Sequence, residues 1–388
     1  MTILVLGNGF DLAHGLKTNY KDFLDFTAFF MKLYPLSLFR RKLYMSGSDS
    51  PIASYIDSLL LNENPYASEY YNLVADNFWI SYFMVSAGFV GSKWIDFEAE
   101  ISRILRQIEA DQSLEGDKHK GEARSLTNAL AKNIFKKELE MDPLFYEDIF
   151  DRMETDLRKL IRAFEIYLSL CVDKDPIEEK KTFISEIRPD KVLTFNYTNT
   201  YERVYESERE HEYGRKVEIC HIHGIANEAN TFEKDTTNIV LGIDEYLSDE
   251  EKNEKLDHIG FKKYYQRITK CTGNEYLLWV DNIKETWEKA QEKKKELALK
   301  SMYVPGAPSM DDIKDITHKL FIYGHSLGKT DGDILQRLIC NDNVQTTIFY
   351  YKKENYESQV RNLVQIIGQD ELIKRTGGKT KTIWFKQQ

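Results

Sequence analysis

A chain of 388 residues with 42% hydrophobic and 13% aromatic content has room for two or three domain-sized units and a large core, which excludes a disordered protein. Its formal charge of −10 speaks against a mainly electrostatic nucleic-acid binder. Four scattered cysteines without a C-x-x-C pair, and the lack of a signal peptide or bilayer-spanning apolar run, give the expectation of a soluble cytoplasmic protein with no membrane partner.

The first element is the most informative. Ile3 to Leu6 is an apolar run that drives into Gly7-Asn8-Gly9 and then into helix-compatible sequence. That layout predicts a buried parallel strand, a glycine turn and a helix whose free N–H groups can hold phosphate. A Cβ would obstruct both the tight turn and the approach of a ligand. The spacing departs from G-x-G-x-x-G, because the next glycine is Gly15, so a tight turn without a ligand stays open.

Helix-like sequence then runs to about residue 185. Asp96 to Ala110 and Tyr146 to Val172 each place apolar residues on one face, while Ser113 to Arg124 reads as a charged loop. Strand-like runs return at Lys191–Phe195, Val217–His223 and Asn238–Leu241. A charged helix follows, clearest over Glu285–Lys300, and Pro305-Gly306-Ala307-Pro308 closes it. Further strands are predicted at Lys319–Tyr323 and Val344–Tyr351. Strands alternating with helices predict an α/β fold with a Rossmann-like, mostly parallel sheet and large helical insertions. The sheet is expected from residues 1–30, 186–245 and 316–388, with helical inserts at 31–185 and 246–315.

Ligands of such sheets bind at the carboxyl ends of the strands. Four polar clusters stand there: Gly7-Asn8-Gly9-Phe10-Asp11, Phe195-Asn196-Tyr197-Thr198, His221-Ile222-His223-Gly224 and Gly324-His325-Ser326-Leu327-Gly328. The last fits a G-x-S-x-G nucleophile elbow, but no histidine follows Ser326, which removes the esterase order of serine, acid and histidine. Neither GHSLGKT nor Gly377-Gly378-Lys379-Thr380 has the spacing of a phosphate-binding P-loop. His221 and His223 alternate onto one strand face, yet no further ligands stand at metal-binding spacing, so no metal is expected.

These motifs resemble the bacteriophage abortive infection AbiH family. GNGFDLAHGLKTNYKDFL, VLTFNYTNTYERVY, HIHG followed by NIVLGIDEY, and FIYGHSLGKTDGDIL match its pattern in its order, and WIDFEAEI fits a family-like helix start. More distantly, the same clusters resemble sirtuin-like NAD-hydrolase domains. GNGFD stands where those proteins have G-A-G-x-S, Phe195-Asn196-Tyr197-Thr198 where they have T-N-Y-D, His223-Gly224 resembles their L-H-G, and Gly324-His325-Ser326-Leu327 their G-T-S-L. Asp11 replaces the serine of the first turn and Thr198 the aspartate after N-Y.

The resemblance implies catalytic roles for Asn196 and His223. It places Gly7, Asn8, Gly9, Phe10, Asp11, Gly324, His325 and Ser326 around the nucleotide. It implies an antiphage effector that hydrolyses NAD, or a related nucleotide, at its N-glycosidic bond, answering to a phage-derived trigger protein. A non-catalytic nucleotide sensor and a nuclease remain alternatives, and a homo-oligomer is left open. The chemistry stands on its own: an oxocarbenium-like transition state needs a group to orient ribose and water, and a base near neutral pH. The plainer alternatives are an Asx-turn for Asn196 and a hydrogen-bonded core histidine for His223.

Overall fold

Ile3 to Leu6 are buried on both faces and form most of β1 (Thr2–Leu6), as a central strand of a parallel sheet requires. The computed structural model describes residues 1–45, 51–60, 64–90, 96–113, 143–177, 181–206, 216–243, 258–303 and 317–388. Most of the Ser113–Arg124 loop, the Pro305–Pro308 segment, Trp94, Ile95 and Asp244–Tyr246 lie outside the described residues. The chain packs as two units. One comprises Met1–Gly15, Ile177–Gly224 and Cys271–Gln388, the other Leu16–Pro176 and Ile225–Lys270.

In the first unit, β2 (Lys191–Thr194), β3 (Glu218–His221), β4 (His318–Tyr323), β5 (Val344–Tyr350) and β6 (Ile383–Gln387) join β1 in a six-stranded sheet. The order is β3-β2-β1-β4-β5-β6, and every pairing is parallel. This is the doubly wound order, which reverses direction between β1 and β4. The α/β Rossmann-like expectation therefore holds. Alternation along the strands sends Ile3, Val5, Leu193 and Ile322 to one face, under the helices Tyr276–Tyr303 and Gly332–Ile339. Leu4, Leu6 and Val192 go to the other, with Phe10, Tyr205 and Phe349.

The second unit is helical. Its longest helix, Pro143–Leu170, carries Phe164 and Tyr167, which meet Phe23 and Phe26 of the helix Tyr20–Leu33 at ring separations of 5.2 and 5.1 Å. Phe97 stacks between Tyr20 and Phe83, each 4.1 Å away. Arg162 is fully buried in this core and is held by Glu69 (2.9 Å) and Glu165 (2.8 Å).

Two strand expectations are corrected. Ile239, Val240 and Leu241 are buried, yet the predicted strand Asn238–Leu241 joins no sheet. The Gln266 side chain does a neighbour strand's work, accepting from Leu241 N–H and donating to Leu241 C=O, both at 3.0 Å. The sixth strand is instead β6 at the C-terminal edge. Secondly, β3 stops at His221, and His223 lies in the turn beyond, where Gly224 N–H closes onto His221 C=O at 3.1 Å. The two histidines therefore do not share a strand face.

Candidate functional site

The site is built from the turns that follow the first four strands of the first unit. After β1, Gly7 N–H donates to the Tyr323 carbonyl (3.1 Å) and Gly9 N–H to the Gly324 carbonyl (2.8 Å). A Cβ on Gly9 would sit 2.8 Å from Gly324 Cα, and one on Gly7 2.7 Å from His325 Cα. Gly324 adopts φ +69°, and a Cβ there would lie 2.3 Å from Phe10 N. These glycines let the loops after β1 and β4 pack backbone on backbone. The expectation of free N–H groups is thus corrected for Gly7 and Gly9, whose N–H groups are spent on β4 and its loop, and for Phe10, which donates to Gly7 C=O. The helix they open is short, Asn8–Ala13.

Within that helix Phe10 belongs to the core, edge-on to Tyr323 at 6.2 Å and 4.4 Å from the His14 ring. Asn8 is half-buried. Asp11 points the other way chemically: it is only 1% exposed, and its Oδ2 accepts a 2.7 Å hydrogen bond from Thr198 Oγ1. Thr198 Oγ1 in turn lies 2.9 Å from Thr200 Oγ1. Asp11 Oδ1 has no hydrogen-bond partner. Burial pushes the Asp11 carboxyl up to about 6, and the charge of Glu202 adds to this, while Thr198, Thr200 and Asn196 oppose it.

Asn196 follows β2 and is 5% exposed. Neither its Oδ1 nor its Nδ2 has a hydrogen-bond partner, although its amide is close enough to favour the Asp11 carboxylate. The Asx-turn alternative is absent: the turn is closed by Thr194, whose Oγ1 accepts from Asn196 N–H at 3.1 Å. An amide left bare at this depth is costly unless something meets it.

His223 and His325 converge on Asp331, in the turn Lys329–Asp331 after β4. His223 Nε2 is 3.0 Å from Asp331 Oδ1, and His325 Nε2 is 3.4 Å from Oδ2. His325 Nδ1 accepts from Leu327 N–H at 2.9 Å, which leaves the proton of the neutral ring on Nε2, facing the carboxylate. That bond rests on Leu327 at φ +59°, a strained conformation for a branched residue. With Nε2 of His223 likewise donating to Asp331, its Nδ1 is the basic nitrogen of the neutral ring. The Phe195 ring lies 5.4 Å from His223 and 4.4 Å from His325, and Tyr197 is 6.3 Å from His223. The two neighbours of Asn196 in sequence thus both touch His223. His221 takes a separate partner, Glu202 Oε1 at 2.7 Å. Ser326 is exposed, outside the buried cluster.

The pattern of the AbiH family matches the chain over residues 3–351. The chain belongs to the bacteriophage abortive infection AbiH family. Membership supports a role in phage abortive infection, and the AbiH match spans every site residue described above, from Gly7 to Asp331. None of the curated proteins compared with the chain matches it. Among the described residues, no helix is long and apolar enough to cross a membrane, and no three His, Cys, Asp or Glu side chains are grouped to hold a metal ion.

Sequence reasoning gave no role to Thr200, Glu202 or Asp331. The i, i+2 spacing of Thr198 and Thr200 was the available signal for the first. Asp331 stood inside the quoted GHSLGKTDGD run, but its partners come from two other turns and carry no sequence signature.

Proposed function

We propose that this AbiH protein is an abortive-infection effector that cleaves the N-glycosidic bond of NAD or a related nucleotide. The observation that carries the reading is Asn196: a buried amide with both polar atoms bare, at the carboxyl end of a parallel strand and flanked by two rings that touch His223. Such an amide can orient both a ribose hydroxyl and an attacking water. As the C1′–N bond breaks, its electron pair leaves with the base, which departs as neutral nicotinamide from NAD. Water bonds to C1′ and gives its proton to His223 Nδ1. Asp331 accepts from Nε2–H and stabilises the imidazolium, the role of a buried acid beside a catalytic histidine.

The test is nicotinamide release from NAD by purified protein, with and without phage lysate as the source of a trigger. Release that is lost in Asn196→Ala and His223→Ala supports the reading. Equal release by wild type and Asn196→Ala sinks the role of Asn196. Nucleotide binding without turnover under either condition would make the protein a sensor.

A further inference from the structure

We infer that Asp11 and Asn196 together form a receptor for the hydroxyl pair of a pentose, and that no phosphate binds at the glycine turn. This rests on the N-glycosidase reading for the identity of the sugar, which is the one carrying the scissile bond. Three buried polar atoms make no well-formed hydrogen bond here, Asp11 Oδ1, Asn196 Oδ1 and Asn196 Nδ2, with the Asn196 amide close enough to the Asp11 carboxylate to favour its charge. Their chemistry is two acceptors and one donor. Vicinal hydroxyls satisfy all three, donating to the carboxylate and the amide oxygen while accepting from the amide nitrogen.

A phosphate fits this place badly. It brings acceptors and negative charge to a carboxylate that already feels Glu202, and the Gly7 and Gly9 N–H groups that would compensate are taken by Tyr323 and Gly324. A cation would suit Asp11 but leave Asn196 Nδ2 without an acceptor. The remaining Asp11 oxygen is occupied by Thr198, so the carboxylate is held in one orientation and presents Oδ1 alone. The glycine turn therefore serves as a rigid mount for Asp11 rather than as a phosphate cradle.

Calorimetric titration of the full chain with ADP-ribose and with ADP tests this, since the two differ by the terminal ribose, whose hydroxyls reach only a sugar site. ADP-ribose is expected to bind at least about tenfold more tightly, the scale of one hydrogen bond to a charged group. Asp11→Ala and Asn196→Ala should each bring the two affinities within about threefold. Equal affinities in the wild type, failure of both nucleotides to bind, or a full ADP-ribose advantage in folded Asp11→Ala would overturn the assignment. The wild-type comparison needs no variant to fold. Nicotinamide release on the same preparation separates the two ideas. An ADP-ribose advantage without release leaves the sugar site standing and removes the hydrolase reading. Release without an advantage removes the sugar site alone.

Discussion

Thr198 Oγ1 donates a 2.7 Å hydrogen bond to Asp11 Oδ2, joining the turn after β2 to the turn after β1. The pair sets a buried carboxylate on the first turn against a hydroxyl on the second. We propose that this contact is reciprocal, so that carboxylate and hydroxyl can exchange places across it. A swap test follows. Thr198→Asp alone puts two carboxylates side by side and should destabilise the protein at pH 8 by about 2 kcal/mol, the scale of a short-range coupling. Adding Asp11→Ser should recover most of that loss. Chemical denaturation of the two single variants and the double variant gives the coupling; independent, additive effects would dissolve the exchange.

The same carboxyl makes stability depend on pH. Asp11 sits at about 6 when folded, above its ordinary value of 3.8, so the native state holds a proton that the unfolded state has released between those values. Stability is therefore lost as pH rises from about 4 to about 6, and the deficit persists above it, by about 3 kcal/mol. Asp11→Asn, a neutral near-isostere, is expected to melt higher than wild type at pH 8 and level with it at pH 4. Its nucleotide-dependent activity should fall at the same time, a stability gain at the expense of function. A variant that melts below wild type at pH 8 would show that the charge is not a burden.

Gly9 is expected to be a packing position. Gly9→Val drives its side chain into the Gly324 backbone, 2.8 Å from the first added carbon, and should cost about 3 kcal/mol or more. Gly378 gives the control: it has φ +64° with nothing within 4 Å, so Gly378→Ala should cost only about 1 kcal/mol, from backbone strain alone. Equilibrium denaturation ranks the two. A Gly9 variant as stable as wild type, but unable to bind nucleotide, would return the turn to the ligand.

In the proposed reaction Asp331 positions His223 rather than reacting itself. Asp331→Asn keeps the shape but can present a donor to His223 Nε2, favouring the wrong tautomer. The maximal rate of base release should fall about 100-fold or more, with the half-saturating substrate concentration little changed. A loss confined to half-saturation would instead place Asp331 in substrate binding.

Arg162 tests the second unit. Replacing it by methionine leaves Glu165 buried without its cation, and the expected loss is about 3–5 kcal/mol. Adding Glu165→Gln should restore part of it, because the unpaired charge is then gone. Urea midpoints of the single and double variants measure both effects.

The sheet was largely legible in the chain because β1 and β2 are buried on both faces as apolar runs, while β4 and β5 keep Leu320, Ile322, Val344 and Ile348 buried at alternate positions. The same signal misled at Asn238–Leu241, where Ile239, Val240 and Leu241 are fully buried but Gln266 replaces the neighbouring strand; an apolar run cannot say what satisfies its backbone. β6 escaped for the opposite reason. As an edge strand it has only Ile383 fully buried, and its apolar run is just the three residues Ile383-Trp384-Phe385 before Lys386. At the site, the turns carrying Asn196, His223 and His325 could be found because small and polar residues follow apolar strands. Partner choice could not. His221 and His223 are two residues apart yet go to Glu202 and Asp331, which depends on where β3 ends and how Gly224 turns the chain.

An electron-density map of crystals soaked with ADP-ribose is the most direct measurement of the central claim. The account predicts the terminal ribose against Asp11 Oδ1 and the Asn196 amide, with its C1″ hydroxyl facing His223 Nδ1 and the diphosphate away from Asp11. Density that places the diphosphate against Asp11 and the Gly7–Gly9 turn, or the sugar away from Asn196, would contradict it.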